Sequence, residues 1–200
     1  MSSLSPEEQK RALRAHMTAR RGLLEPEEAV RRGKSAQGLL AASPCWANAR
    51  TVAIYMPIRN EADTGILRAR ARAEGKRVLL PRCVAGRRGE LELVACDDAT
   101  ELAPGAYGIL EPLPSLPAID LDDPEQTPQL LIVPCLAVDR QGCRLGYGGG
   151  YYDRLLCRPA LRTALFIALI YQMQFVVSLP AESRDVRVHG VCTEEGLLWV

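Results

Sequence analysis

The stretch TVAIYMPIRNEADTGILRARARAEGKRVLLP, residues 51–81, places a helix-forming segment between two short apolar ones. The flanking segments, 51–56 and 76–81, are rich in valine, isoleucine and leucine, which is typical of strands. The middle segment, 64–75, combines alanine and arginine, which favour helix. A strand, a helix and a strand in succession are typical of a parallel βαβ unit. The stretch therefore predicts an α/β fold.

Three further apolar segments extend this predicted sheet. We predict strands at 91–94, 130–133 and 164–170. The last two lack the polar alternation of a half-exposed strand, which indicates central strands covered on both faces. The predicted architecture has three layers, in which a largely parallel sheet is flanked by helices.

Two helices are predicted before this sheet. Ser5 has the character of an N-cap followed by proline, and Gly22 breaks the helical spacing. A second start at Pro26 runs to about residue 42, so the segment predicts a helical hairpin. Later in the chain, 104–128 holds six prolines and an acidic patch, which predicts an irregular surface crossing.

Composition limits the possible functions. A chain of 200 residues that is 48% hydrophobic fits one domain, which we assign to residues 1–200. Its formal net charge of +1 gives no support to a nucleic-acid partner. Seven scattered cysteines without a CxxC pair argue against a disulfide framework and a zinc site, so we expect a cytoplasmic protein. No apolar run approaches the roughly 20 residues that span a bilayer, so no membrane partner is expected.

A glycine-rich segment follows the predicted strand at 130–133. It reads RLGYGGGYYDR, residues 144–154, and a helix is predicted to begin near Gly150. Open α/β sheets bind ligands at this edge, and glycine lets backbone N–H groups approach a phosphate closely. The segment lacks the GK[ST] of a P-loop and is too short for a dinucleotide fingerprint. It therefore indicates either an ordinary tight turn or an anion site for phosphate.

Charged residues offer similar pairs of interpretations. Lys10 and Arg14 share one helix face, which is either solvated or a clamp for polyphosphate. Asp153, in the first turn after the glycines, either complements the helix dipole or holds Mg²⁺. Glu61 follows a strand to the same edge of the sheet, where it is either a ligand-binding carboxylate or an ordinary acidic residue of the loop. The residues alone leave these alternatives open.

Segments in the same order along the chain carry a family resemblance. They are 10–14, 57–64 with Glu61, 107–112, and 134–154, and the tail LPAESRDVRVHGVCTEEG follows the same pattern. Together they resemble the 5-formyltetrahydrofolate cyclo-ligase family, also called methenyltetrahydrofolate synthetase. The resemblance implies ATP- and Mg²⁺-dependent conversion of 5-formyltetrahydrofolate to 5,10-methenyltetrahydrofolate, with release of ADP and phosphate. It implies phosphorylation of the formyl oxygen and attack by N10, carried out on small-molecule substrates. We expect the protein to be a monomer.

The resemblance also implies roles for individual residues. The implied ATP-binding residues are Lys10, Arg11, Ala12, Leu13, Arg14, Arg144, Leu145, Gly146, Tyr147, Gly148, Gly149, Gly150, Tyr151 and Tyr152. The implied substrate-binding residues are Met56, Glu61, Tyr107, Tyr147, Gly148, Gly149, Gly150 and Tyr151. The implied catalytic residues are Arg144, Tyr151 and Tyr152, and the implied metal ligands are Asp153 and Asp185.

Some positions depart from the family pattern. Gly149 stands where many members carry lysine, Tyr147 where some carry arginine, and Arg184 where histidine is common. The glycine segment therefore carries less positive charge than in those relatives. Two alternatives stay open: a non-catalytic homologue that binds nucleotide or folate, and a sugar-phosphate isomerase-like enzyme that needs no ATP.

Overall fold

The computed structural model describes residues 5–96, 99–182 and 185–200. Its α-helices are α1 (Pro6–Gly22), α2 (Pro26–Ala41), α3 (Pro44–Asn48), α4 (Gly65–Ala73) and α5 (Tyr151–Leu156). Its strands are β1 (Thr51–Ala53), β2 (Arg77–Cys83), β3 (Leu91–Ala95), β4 (Leu102–Pro104), β5 (Leu110–Pro112), β6 (Leu130–Val133), β7 (Ala137–Asp139), β8 (Arg144–Leu145), β9 (Leu165–Leu169), β10 (Phe175–Val176), β11 (Gly190–Thr193) and β12 (Gly196–Trp199). The predicted βαβ unit is therefore present as β1, α4 and β2.

Seven strands form the main sheet, in the order β12-β11-β9-β6-β1-β2-β3. The inner pairs are parallel, whereas the outer pairs β2/β3 and β11/β12 are antiparallel. β6 and β9 pair near the middle, with Leu130 opposite Leu165 and Val133 opposite Ala168. β6 is buried along its whole length, as the absence of polar alternation predicted. The largely parallel α/β sheet is confirmed.

Helices cover both faces of this sheet. Since successive strand residues point to opposite faces, the strands feed two separate cores. On one face Ile132 packs in a cluster with Leu40 of α2 and Leu67 of α4. On the other face Leu131 packs in a cluster with Leu155 of α5. The three predicted layers are therefore present.

The two N-terminal helices form within the predicted segment. The Ser5 hydroxyl accepts a hydrogen bond from the Glu8 amide, and the Glu8 carboxylate accepts one from the Ser5 amide, so α1 begins with a capping box. The two helices have different main partners. α2 packs on β11, β12 and α4, whereas α1 inserts Met17 into a cluster with Leu136 and Leu145. The predicted hairpin is thus two consecutive helices, of which α1 lies against the segment before the glycines.

Two smaller sheets were not predicted. β7 pairs with β8 and β10, and β4 pairs with β5. The second pair occupies the start of the segment predicted to be irregular, 104–128, and part of the remainder bridges β3 through Val94 and Ala118. Of the helices in the described ranges, none has the length and apolarity needed to cross a bilayer.

Candidate active site

Residues 146–150, here called the glycine loop, connect β8 to α5. Gly148 and Gly150 have φ angles of 97° and 66°, in the region that favours glycine. Gly150 is also the N-cap of α5, so the helix begins where the sequence predicts. The loop follows β8 of a small sheet, and its Tyr147 contacts Glu61, which follows the carboxyl end of β1, so the loop lies at the edge where open α/β sheets bind ligands.

Helix α1 brings Arg14 onto the glycine loop. Arg14 Nε donates to the Gly146 carbonyl at 2.9 Å. The guanidinium also lies beside Gly148, where an added Cβ would be 3.5 Å from Arg14 Cζ. Leu13 and Met17 hold the helix there through the cluster that includes Leu145. The structure therefore places Arg14 at the loop rather than on a fully solvated face.

The other members of 10–14 lie in different surroundings. Lys10 is buried, and its Nζ contacts Asp185 Oδ2 at 2.7 Å and Glu182 Oε1 at 3.1 Å. Burial alone would raise the pKa of Asp185, but the hydrogen bonds from Lys10 and the Glu182 amide, together with the charges of Lys10 and Arg144, outweigh burial and lower that pKa. Arg11 and Ala12 are exposed. The predicted ATP-binding lysine therefore contacts a predicted metal ligand, while Arg184 lies outside the described residues.

A second ion pair joins Arg144 to Asp153. Arg144 Nη2 donates to Asp153 Oδ1 at 2.7 Å, and its Nη1 donates to the Val186 carbonyl. The Val186 amide donates to the same Asp153 oxygen at 3.2 Å. The Arg144 side chain is 3% exposed, whereas that of Asp153 is 36% exposed. Arg144 therefore orients Asp153 from inside the protein and presents little of its own surface to a ligand.

The two predicted metal ligands have the oxygen chemistry that Mg²⁺ prefers. Each carboxylate already faces a cation, Lys10 for Asp185 and Arg144 for Asp153. Within the described residues, no three His, Cys, Asp or Glu side chains cluster as a metal cage. Mg²⁺ usually needs only one or two carboxylates when substrate phosphates and water complete its shell. The residues therefore fit a magnesium ion brought with a nucleotide, with partly exposed Asp153 as the accessible ligand.

Residues 57–63, here called the Glu61 loop, follow β1 to the same edge of the sheet. Arg59 and Asn60 have φ angles of 47° and 62°, which are uncommon for residues other than glycine. The Asn60 amide donates to the carbonyls of Arg21 and Leu24 and so ties the loop to the end of α1. This conformation turns Glu61 inward, where its side chain is 5% exposed.

The Glu61 carboxylate lies in a hydrogen-bonded cluster. Its Oε2 accepts from the Ile58 amide at 3.0 Å, and its Oε1 accepts from the Tyr147 hydroxyl at 2.8 Å. Burial raises the pKa of Glu61, and these two hydrogen bonds and the charge of Arg21 partly oppose that rise. Burial also raises the pKa of Tyr147 to about 12. Tyr147 therefore links the glycine loop to Glu61.

Arg21 completes this cluster and was missed by the sequence analysis. Its Nη2 donates to the Tyr147 hydroxyl, its Nε donates to the Arg59 carbonyl at 3.1 Å, and its Nη1 lies 3.9 Å from Glu61 Oε1. The sequence spacing could have indicated its position, because Arg21 follows Arg14 by seven residues and Met17 by four. These intervals put all three side chains on one face of α1.

Tyr107 and Tyr151 form an aromatic pair on the other side of the glycine loop. Their hydroxyl oxygens are 2.9 Å apart, and their rings meet edge to face at a centroid distance of 6.1 Å. They border a cavity of about 510 Å³. Its lining includes Cys83, Arg87, Arg88, Tyr107, Glu111 and Tyr151. A Cβ at Gly149 would lie 2.7 Å from Tyr151 Cδ2, so the ring closes the space beside this glycine.

Arg154 is a second residue that the sequence analysis left without a role. Its Nε donates to the Gly89 carbonyl at 2.6 Å, and its Nη2 donates to the Gly149 carbonyl. Its guanidinium also lies 5.9 Å from the centre of the Tyr151 ring. Arg154 therefore connects the β2–β3 turn to the glycine loop.

Two other predicted site residues are mainly packed. Met56 contacts the core under α2 and α4, and Tyr152 contacts the core under α5. Burial raises the pKa of the Tyr152 phenol, so it is neutral near pH 7. All seven cysteines lie in the described ranges, and no disulfide joins them.

Comparison with known proteins agrees with this arrangement. The model of the 5-formyltetrahydrofolate cyclo-ligase family matches residues 6–194. The 5-formyltetrahydrofolate cyclo-ligase of Mycolicibacterium smegmatis is 35% identical over 170 residues, 83% of this chain and 84% of the relative. The Escherichia coli K12 protein of the same name is 32% identical over 176 residues, 87% of this chain and 94% of the relative.

Solved structures give the same result. The NMR structure of Aquifex aeolicus 5,10-methenyltetrahydrofolate synthetase is similar with a TM-score of 0.80 and 32% identity, and the match covers 95% of this chain and 92% of that one. A synthetase of that name from Mycoplasma pneumoniae has a TM-score of 0.72 at 21% identity over 92% of this chain and 98% of its own, which shows the shared fold. The chain belongs to the 5-formyltetrahydrofolate cyclo-ligase family.

Proposed function

We propose that this chain converts 5-formyltetrahydrofolate to 5,10-methenyltetrahydrofolate, with ATP as co-substrate and Mg²⁺ as the required ion. Membership of the family and relatives named for this activity support the reaction. The observation that carries the two-substrate site is the position of Tyr147. Its backbone belongs to the glycine loop under Arg14, while its hydroxyl donates to Glu61.

The chemistry requires activation of the formyl group. An N-formyl carbon is a poor electrophile because nitrogen donates electrons into its carbonyl. The formyl oxygen attacks the γ-phosphorus of ATP, and ADP leaves with the electrons of the broken P–O bond. N10 then attacks the formyl carbon and loses its proton, and departure of phosphate leaves the methenyl bridge. The protein contributes positioning and neutralisation of charge.

Arg14 and the glycine loop are proposed to hold the ATP phosphates. In the described part of the chain, the Arg14 side chain makes one hydrogen bond, through Nε, so its terminal nitrogens are available to phosphate oxygens. The loop backbone contributes N–H groups that no Cβ shields at Gly148 and Gly150. Lys10 and Arg144 act through Asp185 and Asp153, which they orient.

Glu61 is proposed to bind the folate. A carboxylate accepts several hydrogen bonds, so Glu61 has lone pairs for N–H donors of the pterin beside those taken by Ile58 and Tyr147. Met56 supplies an apolar contact, and the paired rings of Tyr107 and Tyr151 supply a surface for stacking.

Asp153 is the proposed contact for Mg²⁺. Its Oδ1 accepts from Arg144 and Val186, while its Oδ2 accepts no hydrogen bond from the described residues. When bound, the ion would neutralise charge on the ATP phosphates. Asp185 is the second candidate ligand.

An absorbance assay tests the proposal. The protein is mixed with 5-formyltetrahydrofolate, ATP and Mg²⁺, and we expect the methenyl chromophore near the ultraviolet edge of the visible together with one ADP per product. Parallel reactions omit ATP or contain a chelator, and both should give no product. Absence of chromophore and ADP from the complete mixture would contradict the proposed reaction.

The same assay separates the alternatives. A non-catalytic homologue would bind both substrates, measured by calorimetry, without forming product. An isomerase-like enzyme would act on a sugar phosphate without ATP. The monomeric state and the cytoplasmic location stay predictions, of which light scattering in solution measures the first.

A further inference from the structure

Arg21 lies in the last turn of α1, where the Glu61 loop and the glycine loop meet. It is 1% exposed, although arginine is rarely buried without full pairing. Its Nη2 and Nε donate to Tyr147 and Arg59, but Nη1 has no hydrogen-bond partner in the described residues. Leaving a buried N–H group unpaired is costly. The arrangement therefore indicates a requirement for this charge at this place.

The charge of Arg21 acts on Glu61 without screening by water. Arg21 Nη1 is 3.9 Å from Glu61 Oε1, and both side chains are almost fully buried. Arg59 is the other cation near Glu61, but its side chain is exposed, so solvent and salt weaken its effect. Removal of Arg21 would therefore leave Glu61 in a buried setting that favours its protonated form.

Other titratable groups around Glu61 are neutral near pH 7. They come from the segments after β1, β6 and β9, the glycine loop and α5, and the pKa of each is raised. These groups are Tyr55, Cys135, Tyr147, Tyr152 and Tyr171. Glu61 is thus the carboxyl group of this cluster, and its pKa is raised by burial and held down by its hydrogen bonds and by the charges of Arg21 and Arg59.

We propose that Arg21 is a positioning residue for the folate substrate: it keeps Glu61 as a carboxylate and seats the Tyr147 hydroxyl against it. The inference rests on the proposed function, in which Glu61 accepts N–H groups of the pterin. A protonated Glu61 would present an O–H donor toward those donors and would bind the substrate poorly. Arg21 would act through Glu61, since its own surface is buried.

The first test uses stability and needs no activity. Arg21→Met removes the charge at similar side-chain length, and Arg21→Lys keeps the charge as the matched control. Because a raised pKa means that ionisation of Glu61 opposes folding, loss of Arg21 should make this opposition larger. The Tm deficit of Arg21→Met should therefore grow between about pH 4 and pH 7.

Two comparisons make this result decisive. Arg21→Lys should show a smaller growth of the deficit with pH, and in a Glu61→Gln background the growth caused by Arg21→Met should vanish. A deficit of Arg21→Met that stays constant across this pH range would mean a packing role alone and would overturn the inference.

The second test uses the reaction. Arg21→Met should raise KM for 5-formyltetrahydrofolate about tenfold while KM for ATP changes less than about twofold. The acidic limb of kcat/KM for the folate should move to higher pH, and Arg21→Lys should move it back.

The two proposals fail in different ways. If the wild-type protein turns over but the acidic limb of Arg21→Met stays in place, the role of Arg21 is overturned while the proposed function stands. If the wild-type protein forms no product, the proposed function is overturned, and the stability measurements still decide whether Arg21 controls the ionisation of Glu61.

Discussion

Two regions of the site use the same kinds of charged groups in opposite ways. In the first, here called the paired region, Lys10 contacts Asp185 and Arg144 contacts Asp153, each at 2.7 Å. In the second, here called the Glu61 cluster, the nearest guanidinium nitrogen is 3.9 Å from the carboxylate. The pKa of Asp185 is lowered, whereas that of Glu61 is raised. At Asp185 the pairing with Lys10 and the other hydrogen bonds and charges together outweigh burial, whereas at Glu61 burial outweighs its hydrogen bonds and the more distant charge of Arg21.

This difference suits the two substrates that we propose. A polyphosphate and its metal carry fixed charges, so a carboxylate with a lowered pKa, such as Asp185, is suited to them. A pterin offers neutral N–H donors. A buried carboxylate is a selective acceptor for them, because leaving its oxygens without hydrogen-bond donors is costly in a site without water. We therefore expect substitutions in the two regions to differ in substrate, metal and pH dependence.

The largest effect is expected from Asp153→Asn, which tests whether the paired region serves the metal. The amide keeps the shape but loses the charge that contacts Arg144, so kcat should fall about 100-fold or more and respond weakly to Mg²⁺. Steady-state rates across Mg²⁺ concentrations measure this effect, and circular dichroism checks the fold. A Mg²⁺ response equal to that of the wild-type protein would remove the metal role.

A smaller, selective effect is expected from Arg14→Ala. The guanidinium lies on the glycine loop, away from Glu61, so KM for ATP should rise about tenfold and KM for the folate much less. Arg20 is exposed on the same helix and has no role in the proposed ATP site, so Arg20→Ala is the matched control and should leave KM for ATP within about twofold. Equal changes in both KM values would mean that Arg14 has a general structural role and does not bind ATP specifically.

The smallest effect is on stability, where the two regions should show opposite pH trends. The lowered pKa of Asp185 contributes stability that is present above its unfolded-state pKa and lost as pH falls. Asp185→Asn should therefore lower Tm by about 2–4 °C near pH 7 and by less at acidic pH. Glu61 has a raised pKa, so Glu61→Gln should lose less stability near pH 7 than near pH 4.

Thermal melts at several pH values measure both variants. Parallel trends for Asp185→Asn and Glu61→Gln would show that pairing and burial do not tune the two carboxylates in opposite directions. Opposite trends would support the comparison without reference to catalysis.

Five of the seven strands of the main sheet could be predicted because their segments are rich in apolar residues, whereas β11 and β12 were not predicted. β6 and β9 lie deep in the sheet, and their lack of polar alternation follows directly from burial on both faces. β7, β8 and β10 were missed because two or three residues are too few for a periodic pattern to emerge. The β4–β5 pair was missed because prolines in that segment favour an irregular interpretation.

The parts of the site that could be predicted are those whose residues are neighbours in the sequence. The glycines and the helix at Gly150 are adjacent in sequence, whereas Lys10 and Asp185 are 175 residues apart and their contact depends on the fold. Arg21 and Arg154 were missed because a charged side chain on a helix is usually solvated. Their roles depend on loops that lie far from them in sequence and come close only in the folded chain.

The contact between Gly149 and the Tyr151 ring has a consequence for engineering and for sequence variation. Since the ring fills the space that a Cβ at position 149 would need, any other residue there requires the Tyr151 ring to shift. Lysine at position 149, as many family members carry, would require the ring to turn away from Tyr107 and from Arg154. A library that varies position 149 together with 151 would therefore sample more shapes of the glycine loop than one that varies position 149 alone.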